Sequence, residues 1–297
     1  MASNRAVLTE FGEAPPRVSE WQRFRRVFFS RGMVVFGLAV LILLFLVAIF
    51  AAWLAPYNPY KMEGQSLEKP SAAHWLGTDL LGRDVLSRLI YGSRVAIEVG
   101  FVAVFLGGIV GITLGLVAGF STGFPNMIIM RTMDALMCFP GFLLVLLLAS
   151  LLGGGIQNVI VALSIGAVPG YARITCGLTL SLRENDYVLA QKGMGAGNWR
   201  IMLRHILPNA FPPLLVIITM QLGGLILAEA GLSFLGIGIK PPGAAWGSMV
   251  NDGYKYMIRN PVLSFAPGFC IMAVVFAFNM VGDGLRDALD PRLRGLL

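Results

Sequence analysis

Apolar residues fall in six long stretches, 33–55, 99–120, 132–152, 156–172, 211–239 and 261–281, and only Asp134 and Glu229 carry charge within them. A helix of about 20 apolar residues crosses the roughly 30 Å hydrocarbon core of a bilayer. Each stretch approximates that length and is apolar on every face, whereas a core helix of a soluble domain is shorter and one-sided. The pattern predicts an all-α polytopic membrane protein with six transmembrane helices. The first stretch is too long for a signal h-region and follows a polar tail of 32 residues, so it reads as an uncleaved anchor.

Composition sharpens this class. Of 297 residues, 56% are hydrophobic and only 13% charged, about half the charged share of soluble domains. A soluble globule, a disordered chain and a disulfide scaffold are excluded. Cys138, Cys176 and Cys270 lie in or beside separate apolar stretches without ligand spacing, so neither a disulfide nor a metal site is expected. With the amino terminus inside, fifteen of the 23 Lys and Arg residues fall on the inner side and eight on the outer. The positive-inside rule then places both termini in the cytoplasm of an inner-membrane protein. The net charge of +7 reflects that bias toward anionic lipid and implies no nucleic-acid partner.

The polar segments divide the chain into a cytoplasmic tail, 1–32, a six-span membrane domain, 33–281, and a short cytoplasmic tail, 282–297. Residues 1–16 read as disordered. Residues 17–32 set Trp21, Phe24 and Phe28 against Arg23, Arg25, Arg26 and Arg31 at helical spacing, the pattern of an interfacial helix. No segment is long enough for a soluble domain, and no phosphate-binding loop, dinucleotide fingerprint or HExxH occurs. No catalytic residue is assigned, and nucleotide chemistry would have to come from a partner.

Two polar segments carry the remaining information. In LGTDLLGRDVLSRLIYGSR, 76–94, Gly77 and Gly82 break the run, Asp79 or Asp84 caps the next helix, and Asp84 pairs with Arg88 at i,i+4. With Arg83 these residues form either an elbow returning to the membrane or a gate and docking surface for an external partner, on a helix lying along the outer face. The largest cytoplasmic loop, 173–210, reads as a helix from Arg183 to Met194, a break at Gly195-Ala196-Gly197, and a second helix capped by Asn198 and closed by Pro208. Its apolar residues Tyr187, Leu189, Met194 and Ile201 are expected to be exposed for docking.

At these segments the chain resembles the C-type permease subunits of dipeptide, oligopeptide and nickel binding-protein-dependent ABC importers. In the family's EAA-x3-G-x9-I-x-L-P pattern, Ala190, Gly195, Leu207 and Pro208 match, while Leu189, Gln191 and His205 depart from it. LSFLGIGIKPP with Trp246-Gly247, and the ending GDGLRDALDPRLR, add to the likeness. The resemblance implies a type I ABC importer permease and a second homologous permease as partner. It also implies two cytoplasmic ATPases holding ATP and Mg, an extracytoplasmic solute-binding protein, and no cofactor on this chain. Tyr187–Gly195 would be the ATPase-coupling helix. Peptides or related solutes, glutathione and nickel chelates included, would be the cargo.

Asp134 reads as an i,i+3 partner of Arg131, Glu98 as a partner of Arg94, and His74 and His205 as lone loop histidines. Glu229 has no local partner and either pairs with the companion permease or lines the cavity. Glycines at 100, 107, 108, 111, 115 and 119 suit close helix packing. Pro140 and Pro169 would kink their spans. The rival readings are a stand-alone secondary transporter or channel, whose inverted repeats and midplane charges are not evident, and a membrane enzyme, which two separate carboxylates do not make.

Overall fold

The computed structural model describes residues 19–240 and 242–289. The expected disorder of 1–16, and the last part of the C-terminal motif, lie outside them. Every regular element among the described residues is helical. The first helix, α1, Glu20–Ser30, is capped by Ser19 and stacks Trp21, Phe24 and Phe28 in a row. It leads into α2, Gly32–Ile49, and the single turn α3, Ala51–Leu54.

The remaining helices are α4, Val85–Phe120; α5, Phe124–Met137; α6, Gly141–Leu151; α7, Ile156–Leu182; and α8, Asp186–Gly193. After a short α9, Asn198–Ile201, come a π-helical segment, Met202–Ile206, and α10, Leu207–Phe234. The chain closes with α11, Trp246–Tyr254, and α12, Val262–Leu289. Residues 32, 120, 183–197 and 289 share one end of the bundle, here proximal. Residues 55–84, 152–155 and 235–261 form the distal end.

Five of these helices are long and apolar enough to cross a membrane, and the sixth crossing is broken. The expected third span is two half-helices, α5 and α6, inclined by 88°. Pro140 provides no N–H and disfavours helix at the residue before it, so the segment turns sharply where a kink was expected.

Three other expected boundaries move. α4 does not lie along the surface. From its cap at Asp84 it runs unbroken for 36 residues, about 54 Å, so its first turns stand out of the bilayer. α7 continues past Pro169 to Leu182, which places Arg173 within a helix and shortens the expected loop. Pro208 does not close a helix either, because Asn198–Phe234 passes through it as one span. The π-turn explains the continuity. The Leu207 N–H bonds to the Met202 carbonyl, widening the ladder where the proline ring would otherwise strike the preceding turn. The Asn209 side chain then donates to the His205 carbonyl at 2.6 Å.

Glycine decides the packing of α4 on α7. Gly107, Gly111, Gly115 and Gly119 lie along α7 at Ser164, Val168, Ala172 and Cys176. A Cβ on Gly111 would sit 2.7 Å from the Val168 carbonyl oxygen, so only glycine permits this approach. α12 packs on α2 and α10 by the same device, Gly284 meeting Val34 and Gly282 meeting Met220.

Candidate functional site: a buried distal cap and an exposed proximal helix

The 76–94 motif folds inward. Gly77 and Gly82 adopt φ of 78° and 73°, a left-handed turn that favours glycine. The turn returns the chain so that the Asp79 N–H reaches the Arg83 carbonyl at 2.9 Å. Asp79 Oδ1 accepts from the Leu81 and Arg83 amides, and its Oδ2 accepts from Arg83 Nε at 2.7 Å. Arg88 Nε approaches the same oxygen at 3.5 Å. Arg88 therefore pairs with Asp79, not with Asp84 as spacing suggested. Asp84 Oδ2 instead caps α4 by accepting the Ser87 amide and hydroxyl.

The second Asp84 oxygen lies 2.9 Å from His74 Nδ1, and the His74 ring lies 4.7 Å from that of Tyr57. His74 is thus a buried member of the network, not a lone loop histidine. Its signal was a polar loop of unusual length facing an aspartate-capped helix. Gly77, Asp79, Gly82, Arg83, Asp84 and Arg88 are all buried, so none forms a docking surface directly. Beside these buried charges, Trp75, Leu80 and Leu81 are exposed.

The distal cap is fastened by Trp246, which sequence reasoning quoted but gave no task. Its indole donates to the Leu89 carbonyl at 2.9 Å and its ring lies on Gly92. Glu229 also belongs to this fastening. It is buried and accepts from Ser233 Oγ at 2.6 Å, and Ser233 in turn accepts from the Ile239 amide. Glu229 therefore has a local partner, faces the interior of the chain and pins the loop after α10. Arg94 donates to the Ala48 and Ile49 carbonyls and lies over Tyr91, in place of the expected Glu98 pair.

At the proximal end the loop helix α8 projects from the bundle. Asn185 precedes it, and Gly195, with φ of 79°, ends it. Tyr187, Leu189, Ala190, Gly195 and Pro208 are exposed, while Gln191 and Leu207 are half-buried. Ile201, expected at the surface, is fully buried, and with Val188, Leu116 and Ile206 it forms a small core beneath the helix. Trp199 and Leu203 are exposed instead. The helix N-cap is Gly197, not Asn198. Two cations tie the loop to the end of α4, Arg183 donating to the Gly119 carbonyl at 3.0 Å and Lys192 lying over the Phe120 ring.

Asp134 differs from expectation as well. Arg131 lies 3.7 Å from it, but its closer partner is Arg173 of α7. No group of three or more His, Cys, Asp or Glu gathers among the described residues.

Six crossings, one of them broken, with a stiff helix projecting from one end and a folded cap on the other, define a polytopic membrane permease. Residues 111–295 match the family of binding-protein-dependent transport system inner membrane components, and residues 19–70 match the N-terminal TM domain of oligopeptide transport permease C. The chain belongs to this family and is a C-type permease subunit of a peptide/nickel ABC importer.

It is 41% identical over 276 residues to the glutathione transport system permease protein GsiD of Pectobacterium atrosepticum, covering 92% of each chain. It is 42% identical over 277 residues to the GsiD of Escherichia coli, covering 93% of this chain and 90% of that one. Two crystal forms of the inward-facing MetNI methionine ABC transporter share the fold, with TM-scores of 0.55 and 0.58. At 21% and 20% identity they cover 68% and 69% of this chain, and 96% and 97% of theirs.

Proposed function

We propose that this permease pairs with a second homologous permease and imports small peptides or peptide-like solutes, glutathione being the first cargo to test. The likeness to the GsiD proteins along nearly the whole chain is the observation that carries the cargo class. Both ends of the chain face the cytoplasm, in keeping with the distribution of Lys and Arg.

α8 seats in a groove of a cytoplasmic ATPase subunit, with Tyr187 and Leu189 as apolar anchors and Ala190, Gln191 and Gly195 shaping the contact. Two ATPases hold the ATP and Mg, and this chain binds no cofactor. Closure of the ATPases carries α8 with it. Arg183 and Lys192 pass that displacement to α4, and the π-turn with Leu207 and Pro208 passes it to α10. The helices then rock between two packed states, with ATP supplying the bias. An extracytoplasmic binding protein delivers solute to the distal end against Trp75, Leu80 and Leu81, which the network of Asp79, Arg83, Asp84 and Arg88 holds in place.

The test is purification of a tagged copy from its host in mild detergent, followed by reconstitution and uptake of labelled glutathione. Recovery of a second six-span permease with ATPase subunits, and ATP-dependent uptake, is the expected result. Repeated recovery of the chain alone, or as a homo-oligomer, under conditions that keep such assemblies intact overturns it.

A further inference from the structure

The Asp134–Arg173 pair joins α5 to α7. Arg173 lies nine residues from the proximal end of α7, about 13 Å along the axis. Asp134 lies ten residues along α5 from Phe124, about 15 Å. Arg173 directly follows the apolar stretch 156–172 and Asp134 is the third residue of 132–152, so the pair sits at the proximal edge of both spans, with side chains 53% and 41% exposed on the single chain. Charges at this edge face water or protein rather than lipid.

The neighbourhood agrees. Three residues beyond Asp134 the backbone breaks, and residues 137–143, spanning the 88° bend, are exposed throughout. Open backbone at membrane depth is tolerated only against protein or a water-filled cavity. On α7, Arg173 shares a face with Gly170 and Gly177, which leaves its guanidinium unshielded. A Cβ on Gly170 would lie 3.9 Å from Gln221 Nε2 of α10, so a side-chain amide from a third helix faces the same strip. Arg131 adds a second guanidinium 3.7 Å from Asp134, and the cluster of two cations and one carboxylate keeps a net positive charge.

We propose that Arg173, held by Asp134 and backed by Arg131, is an anion-binding subsite on the translocation path that receives the carboxylate of the solute. The inference rests on the import function proposed above and specifies the part of the solute this chain contacts. A planar guanidinium takes a carboxylate through two parallel hydrogen bonds. Asp134 fixes its orientation without neutralising the pair of arginines. The glycine strip gives the solute backbone room, and the Gln221 amide offers it a donor and an acceptor.

Cys138, exposed at the break, reports on this surface directly. In the reconstituted importer with Cys176→Ser and Cys270→Ser, modification of Cys138 is read by mass spectrometry. The probes are two membrane-impermeant methanethiosulfonates, one bearing a sulfonate and the other a trimethylammonium. The expected result is that both react and that Arg173→Gln lowers the sulfonate-to-ammonium rate ratio about tenfold, the effect of removing one charge at close range in a partly screened site. Labelled glutathione uptake falls about tenfold in the same variant, and Arg173→Lys recovers part of it.

Failure of either reagent to reach Cys138 means that lipid or the companion permease covers this face, which overturns the subsite. So does an unchanged rate ratio, or unchanged uptake, in Arg173→Gln. If the unmutated assembly imports neither glutathione nor peptides, the import function is what fails. The charge selectivity at Cys138 then still decides the subsite.

Discussion

At the distal end Asp79, Arg83, Asp84 and Arg88 are buried and bonded to one another and to the backbone, whereas at the proximal end Tyr187, Leu189, Met194 and Trp199 stand exposed on a short helical stem. The first arrangement removes these four charged groups from solvent and leaves a turn capping α4. The second leaves apolar area uncovered and relies on Val188, Ile201 and two cation contacts to hold its position. Removing one partner from a buried charged network is costly, because the opposite charge is left uncompensated. An exposed apolar helix loses little stability by substitution, because its side chains have few neighbours within the chain. A bonded network at one end and an unfilled surface at the other are what a lever needs.

The largest test of this contrast is Asp79→Ala, which strands Arg83 and Arg88 in a buried site. Loss of one partner of a buried pair costs about 3–5 kcal/mol, so thermal unfolding in detergent should show a sharply lowered midpoint or poor recovery of folded protein. A milder change would mean that water reaches the cap. Gly111→Leu should come next. Its side chain would meet the Val168 carbonyl and Tyr171, and overpacking of this kind costs about 1–3 kcal/mol. An unaltered midpoint would show that α4 and α7 part freely.

Asp84→Ala removes the side chain that caps α4, and about 1–2 kcal/mol is expected from the lost cap. Gly195→Ala places a Cβ in the left-handed region at about 1–2 kcal/mol, confined to the loop. Hydrogen exchange should show α8 loosened and the distal cap unchanged. The smallest effect on stability, within about 0.5 kcal/mol, is expected for Leu189→Asp. Recovery of ATPase subunits with the purified permease should nevertheless fall steeply. Stable folding with undiminished recovery of those subunits would remove α8 from the coupling contact.

The two ends were not equally legible. The hairpin was readable because its breakers are local: Gly195 and the sequence on either side of it determine where α8 stops. Its fifth-span arm was misread, since Pro208 signals a helix end and only the π-turn at Met202–Ile206 shows how the ladder passes around it. In the distal cap the residues were visible and their pairing was not. Spacing offered Asp84 to Arg88, but the left-handed glycine at 82 turns Asp79 back onto Arg83 and Arg88 and frees Asp84 for His74. Arg173 went unrecognised because a cation beside a loop reads as loop. Its place within a helix depends on how far α7 extends.

Six apolar stretches, their lengths and the breakers between them were enough to determine a polytopic helical membrane protein with a projecting hairpin, because burying that much apolar surface in a bilayer leaves a helix few alternatives. Which charge meets which, that the third crossing is broken by 88°, and that Asp134 and Arg173 come together from helices 39 positions apart were decided only by the tertiary structure. Hydrophobic patterning is a property of each segment and can be read along the chain. An ion pair between helices depends on their relative rotation and depth, which no single segment encodes.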